Sequence, residues 1–150
     1  MSSPATQTTS GTATWAEVLA HRTDPDEAAH VAARLESHGV APATVRAALQ
    51  DGGAEMAAAV ASGRPDWAAR YGGFLPAALI AAEVAARAAF LVARASIVRS
   101  VAVDALLEDE SAVTVASELG VSRQKVYEIA RDSTKRRTKL AHMIATPSGG

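Results

Sequence analysis

A chain of 150 residues, 49% of them hydrophobic, is long enough to bury one or two small cores without covalent staples. It has no cysteine, which excludes disulfides, thiolate metal sites and cysteine nucleophiles and is compatible with a reducing compartment. The net charge of −1 hides a split, since residues 1–110 carry 8 Lys/Arg against 13 Asp/Glu whereas residues 111–150 carry 7 against 3; phosphate backbones attract local positive charge, so the C-terminal part is the candidate binder and the acidic N-terminal part is not.

Residues 1–12 open with MSSPATQTTSG, small, polar and aperiodic, and are expected to form a disordered tail. They lack a basic patch followed by an apolar run, so no secretory signal is expected and the predicted location is the cytoplasm, in association with the nucleoid. From Thr14 the segment WAEVLAHR has Glu17 at capping-box spacing and a stripe of Trp15, Val18 and Leu19, a short helix ending near Arg22. Asp24 then caps, Pro25 suits the first helical position, and Asp26 and Glu27 favour the positive end of the dipole, giving a helix to about His38 before Gly39. The same grammar recurs from Pro42 to Gly52-Gly53, from Ala54 to Ala61, and from Pro65 through DWAARY to Gly72-Gly73.

No segment alternates β-branched and polar residues, and alanine is abundant, so the fold class is all-α: a helical bundle with a C-terminal tri-helical motif. The expected division is an N-terminal or dimerisation region at 13–95, a C-terminal domain at 96–140 and a flexible tail at 141–150. A long central helix begins at about residue 74. Its apolar stretch, Phe74 to Leu107, is long enough for a bilayer, but Glu83, Arg87, Arg94 and Arg99 interrupt it, and Glu83 with Arg87 makes an i,i+4 pair; a buried helix and no membrane partner are expected. Ala77, Ala81, Ala85, Ala89 and Ala93 recur at every fourth position, which fits either the central helix of a monomer or a dimer seam.

In Ala112 to Arg131, Val115, Ala116 and Leu119 share one face of a short helix, Gly120 breaks it, and Ser122 caps a second helix whose Val126 and Ile129 return to the same core. Val121 plugs the corner. The outward face of the second helix presents Arg123, Gln124, Lys125, Tyr127, Glu128 and Arg131, types that meet base edges and phosphates. Beyond it, RDSTKRRTKL adds Lys135, Arg136, Arg137 and Lys139, with Asp132-Ser133-Thr134 as the place where the helix ends and restarts, capped by Ser133.

This arrangement resembles the helix-turn-helix of bacterial DNA-binding regulators: Ala116 and Gly120 stand four apart, and Val115, Leu119, Val121, Val126 and Ile129 fill the apolar positions. The resemblance covers about residues 96–131, counting the preceding helix, and names a superfamily rather than a family. It implies double-stranded DNA as partner, with the second helix entering the major groove. An ordinary helical hairpin would share the glycine turn and the apolar spacing.

Catalytic constellations are scarce. There is no GxGxxG, GxxxxGK[ST], HExxH or GxSxG. Glu27 and His30 have the Glu-x-x-His spacing of bundle di-iron sites, but a second pair is missing, and His21, His30, His38 and His142 are too scattered to propose a metal. Trp67, Tyr71 and Phe74, at i, i+4, i+7, read as core. The expected function is therefore a homodimeric, sequence-specific DNA-binding regulator, no enzyme and without a cofactor, whose acidic N-terminal part dimerises or receives a protein partner. An accessory DNA-binding factor in replication, recombination or chromosome organisation, and a helical protein-interaction module, are the alternatives.

Overall fold

In a computed structural model, which describes residues 12–145, the chain forms eight α-helices and one 3-10 turn, with no strand among the described residues. The helices are α1 (Trp15–Val18), α2 (Pro25–Ser37), α3 (Pro42–Gln50), α4 (Ala54–Ala61), α5 (Phe74–Asp109), α6 (Ala112–Leu119), α7 (Arg123–Ala130) and α8 (Ser133–Ile144). The all-α class is as the sequence predicts. The division into two compact units falls between Val84 and Ala85, inside α5 and ahead of the expected boundary at 95/96. The expected disordered tail lies outside the described residues except for Thr12, and the expected flexible segment 141–150 begins as helix, because α8 continues to Ile144.

In the N-terminal unit the helix starts follow their caps. Thr14 Oγ1 accepts from the Glu17 amide at 3.3 Å, and Asp24 Oδ1 from the Asp26 amide at 2.9 Å, each satisfying an amide that the first turn leaves free. Val18, Leu35, Val45, Leu49, Met56 and Ile80 meet in one apolar cluster, against which Trp15, Trp67 and Tyr71 pack. Phe74 is 65% exposed, so the expected aromatic core stripe holds only at Trp67 and Tyr71. The Pro65 segment forms turns and the short 3-10 piece Ala69–Tyr71 instead of an α-helix. Gly63 and Gly72, both at positive φ, bound the segment.

Glu83 is the buried carboxylate of this unit. It does not reach for Arg87: its Oε2 accepts from His21 Nε2 at 2.9 Å and Arg22 Nε at 3.2 Å, and its Oε1 from Arg22 Nη2 at 2.6 Å. Arg22 Nη1 also reaches Glu27 Oε1 at 2.7 Å. Burial alone would raise the Glu83 pKa, but the hydrogen bonds and charges of Arg22 and His21 outweigh it and hold the carboxyl below its usual value. Arg22 is correspondingly raised, chiefly by its hydrogen bond to Glu83. The network ties the residues after α1 to α5.

Two expectations for α5 change. Only 22% of its most apolar window is buried, where a buried helix was expected. The alanine row does not face one neighbour either: a step of four residues advances roughly 400°, so five alanines wind around the helix by about 160°. Accordingly Ala77 is 1% exposed, Ala81, Ala85 and Ala89 are open, and Ala93 is half-buried.

Candidate nucleic-acid interface

Asp109 ends α5, and Ser111 starts α6 by accepting the Thr114 amide on Oγ at 3.1 Å. Gly120 ends α6 at φ 67°, a left-handed conformation that would strain any residue with a Cβ, and the Val121 amide donates back to the Ala116 carbonyl at 3.0 Å. Ser122 begins α7 at once, its Oγ accepting from the Lys125 amide at 3.1 Å. The corner thus contains only three residues between the helices. Each residue has a backbone reason to be there.

The two helices pack on the end of α5. Val103, Val115, Ala116, Val126 and Ile129 form a buried cluster, with Leu107, Ala112, Val121 and Ala130 packed against it. Ala116, 7% exposed, has the smallest side chain that still fills such a position. Leu119 departs from expectation: it is 42% exposed, because the left-handed turn at Gly120 follows immediately and the cluster closes through Val121 instead.

Burying Val126 and Ile129 fixes which side of α7 faces solvent. At 3.6 residues per turn, Arg123, Gln124, Tyr127 and Glu128 lie within an arc of about 140° on the other side. All four are exposed, as are Ser122 and Lys125, and Tyr127 is 56% exposed despite its ring. Lys125 Nζ sits 3.7 Å from Glu128 Oε2, a surface pair that sets only a local orientation. Among the described residues, Arg123, Arg131, Lys135, Arg136 and Arg137 have no acidic partner within ion-pair distance.

The chain stops and restarts after α7, as expected, but by a different device. Arg131 turns extended and Asp132 adopts φ 58°, serving as the residue before α8. Ser133 is not the cap. It is the first helical residue, and its Oγ donates to Asp104 Oδ2 of α5 at 2.6 Å. The half-buried residues of α8, Ser133, Arg136, Leu140 and Met143, share one face, whereas Lys135, Arg137 and Lys139 stay exposed. The sequence missed both the Ser111 cap and the Ser133–Asp104 tie; the first was legible as a Ser three residues before Thr114, the second had no local signal.

No family model, curated protein or solved structure matches the chain.

Proposed function

We propose that this protein binds double-stranded DNA sequence-specifically through α6 and α7, and acts as a homodimeric transcriptional regulator of the cytoplasm and nucleoid. The single observation that carries the reading is the exposed face of α7, where Arg123, Gln124 and Tyr127 stand on a helix anchored from behind by Val126 and Ile129. A helix two turns long, free on one side, is what a major groove admits. Arg123 and Gln124 read bases, favouring guanine and adenine, and Tyr127 lies beside them. Ser122, Lys125, Glu128 and Arg131 border that face, and Lys135, Arg136 and Arg137 neutralise flanking phosphates.

The cation-rich surface supports DNA as partner over a protein, since Lys125 alone pairs with an acid, Glu128, while Arg123, Arg131, Lys135, Arg136 and Arg137 have no acidic partner among the described residues and phosphates would supply one. Selection of bound fragments from random genomic DNA by the purified protein tests the reading. The expected result is one shared inverted repeat with half-sites about one helical turn apart. Retention of fragments without a common motif would replace it with an accessory DNA-binding factor, and no salt-sensitive retention would replace it with an interaction module.

A further inference from the structure

In the C-terminal unit α5 is buried on one side only. Ile97, Ser100 and Val103 are covered, Leu107 packs on the cluster, and Asp104 holds Ser133. At roughly 100° per residue the opposite side carries Ala88, Leu91, Ala95, Val98, Ala102 and Ala105. Leu91 is half-buried and the other five are exposed, Val98 by 56%. Their spacing alternates three and four residues throughout, which is the heptad pattern that keeps a straight seam. No charge enters the stripe, which runs for about 26 Å at 1.5 Å per residue.

We propose that this stripe is the seam of an antiparallel pairing of α5 with α5 of a second copy of the chain, a proposal that rests on the homodimer in the function given above. Side-chain size fits a two-fold register in which Leu91 faces Ala102 of the second copy and Ala95 faces Val98. Each bulky residue then meets a small one, and Ala88 with Ala105 closes either end. Charge selects the same register. Along one edge of the stripe lie Arg87, Arg94 and Glu108, and along the other Val92, Arg99 and Leu106. Antiparallel pairing brings each edge against itself, so Arg87 meets Glu108 of the second copy, Arg94 lies by Val101, and Arg99 by Val92. A parallel pair would set Arg94 against Arg99, and sliding the antiparallel pair by one heptad would set Arg99 against Arg99. A lipid bilayer fits the stripe less well, because Arg87, Arg94 and Arg99 would enter hydrocarbon with it.

Because the chain has no cysteine, introduced thiols report the register alone. Full-length A88C and A105C proteins carrying different tags are mixed without DNA and oxidised. The expected product is the mixed A88C–A105C disulfide, about tenfold or more over either self-linked species. Predominant self-linking, or no linking, overturns the seam. Independently, A95E should raise the dimer dissociation constant by at least about tenfold in light scattering with helical circular dichroism retained, whereas A95S keeps the dimer. A monomeric parent, or a parent that sediments with phosphatidylcholine vesicles in place of dimerising, overturns the proposal. If A95E fails to fold, the disulfide result and A95S decide. A dimer that binds no DNA would sink the function and leave the seam; a DNA-binding monomer would sink the seam and the homodimer and leave DNA binding.

Discussion

Among the described residues, the N-terminal unit gathers thirteen buried apolar residues into one cluster, while the C-terminal unit gathers five. The difference extends to charge. In the first unit the buried carboxylate Glu83 is met by His21 and Arg22, and Arg22 is shared again with Glu27. In the second, Val92, Val98, Leu106 and Val113 are exposed, and Arg123, Arg131, Lys135, Arg136 and Arg137 have no acidic partner within ion-pair distance among the described residues. The first unit also exposes Val60, Phe74 and Leu75, but its buried carboxylate has its donors within reach. The second unit leaves an apolar stripe on α5 and cations without acidic partners among the described residues; in the proposed reading a second copy covers the stripe and phosphates meet the cations.

That contrast breaks most readily at Glu83. Replacing it with Ala should cost about 3–5 kcal/mol, since His21 and Arg22 lose their carboxylate while His21 stays buried. Thermal unfolding of E83A checks this, and a loss under about 1 kcal/mol would mean the network is incidental. The pH dependence has a definite sign. A carboxyl whose folded pKa is lowered contributes stability that is complete above its unfolded value, about 4.3, and is lost as pH falls through the folded value. The stability gap between the parent and E83Q should therefore narrow on acidification below about pH 4; a gap constant to pH 2 would contradict the assignment.

In the C-terminal unit the corresponding break is Ile129→Ala, which empties part of a five-residue cluster and should cost about 2–5 kcal/mol by chemical denaturation. DNA binding should fall with it, because Ile129 holds the back of α7. Arg123→Ala separates shape from recognition: stability should stay within about 0.5 kcal/mol, while binding to the selected site weakens by about 1–3 kcal/mol and binding to random DNA is nearly unchanged. Equal losses on both DNAs would reduce Arg123 to a phosphate contact. The smallest effect is Gly120→Ala. No atom lies within 4 Å of the added Cβ, so only the left-handed backbone is strained, at about 1–2 kcal/mol.

The parts of this structure that were legible in the sequence are those decided within a few residues. Thr14, Asp24 and Ser122 cap helices because a side-chain oxygen two or three residues from a free amide needs no tertiary partner. The Gly120 corner and the inward turn of Val115, Val126 and Ile129 follow from the same short range. Illegible features depend on distant chain. Glu83 prefers His21 and Arg22, some sixty residues away, to Arg87 one turn on, because a buried carboxylate gains more from two donors in the interior than from a solvated neighbour. Ser133 prefers Asp104 to its own amides. The exposed side of α5 was hidden by the conspicuous alanine row, whose fourfold spacing winds off any single face, whereas the 3-4 stripe beside it does not.

Whether the cations of α8 meet phosphate decides between DNA and any other partner. Fluorescence anisotropy of a labelled duplex, titrated with the parent and with K135Q/R136Q/R137Q between 50 and 200 mM salt, measures this directly, those concentrations being roughly the range over which phosphate contacts are felt. The parent should lose affinity steeply with salt. The triple variant should bind cognate and random DNA more weakly alike, with a slope of log K against log salt flatter by up to about three. A parent whose binding ignores salt, or a variant whose slope matches the parent's, would contradict the proposed phosphate contacts of α8, and the first result would remove DNA as the partner.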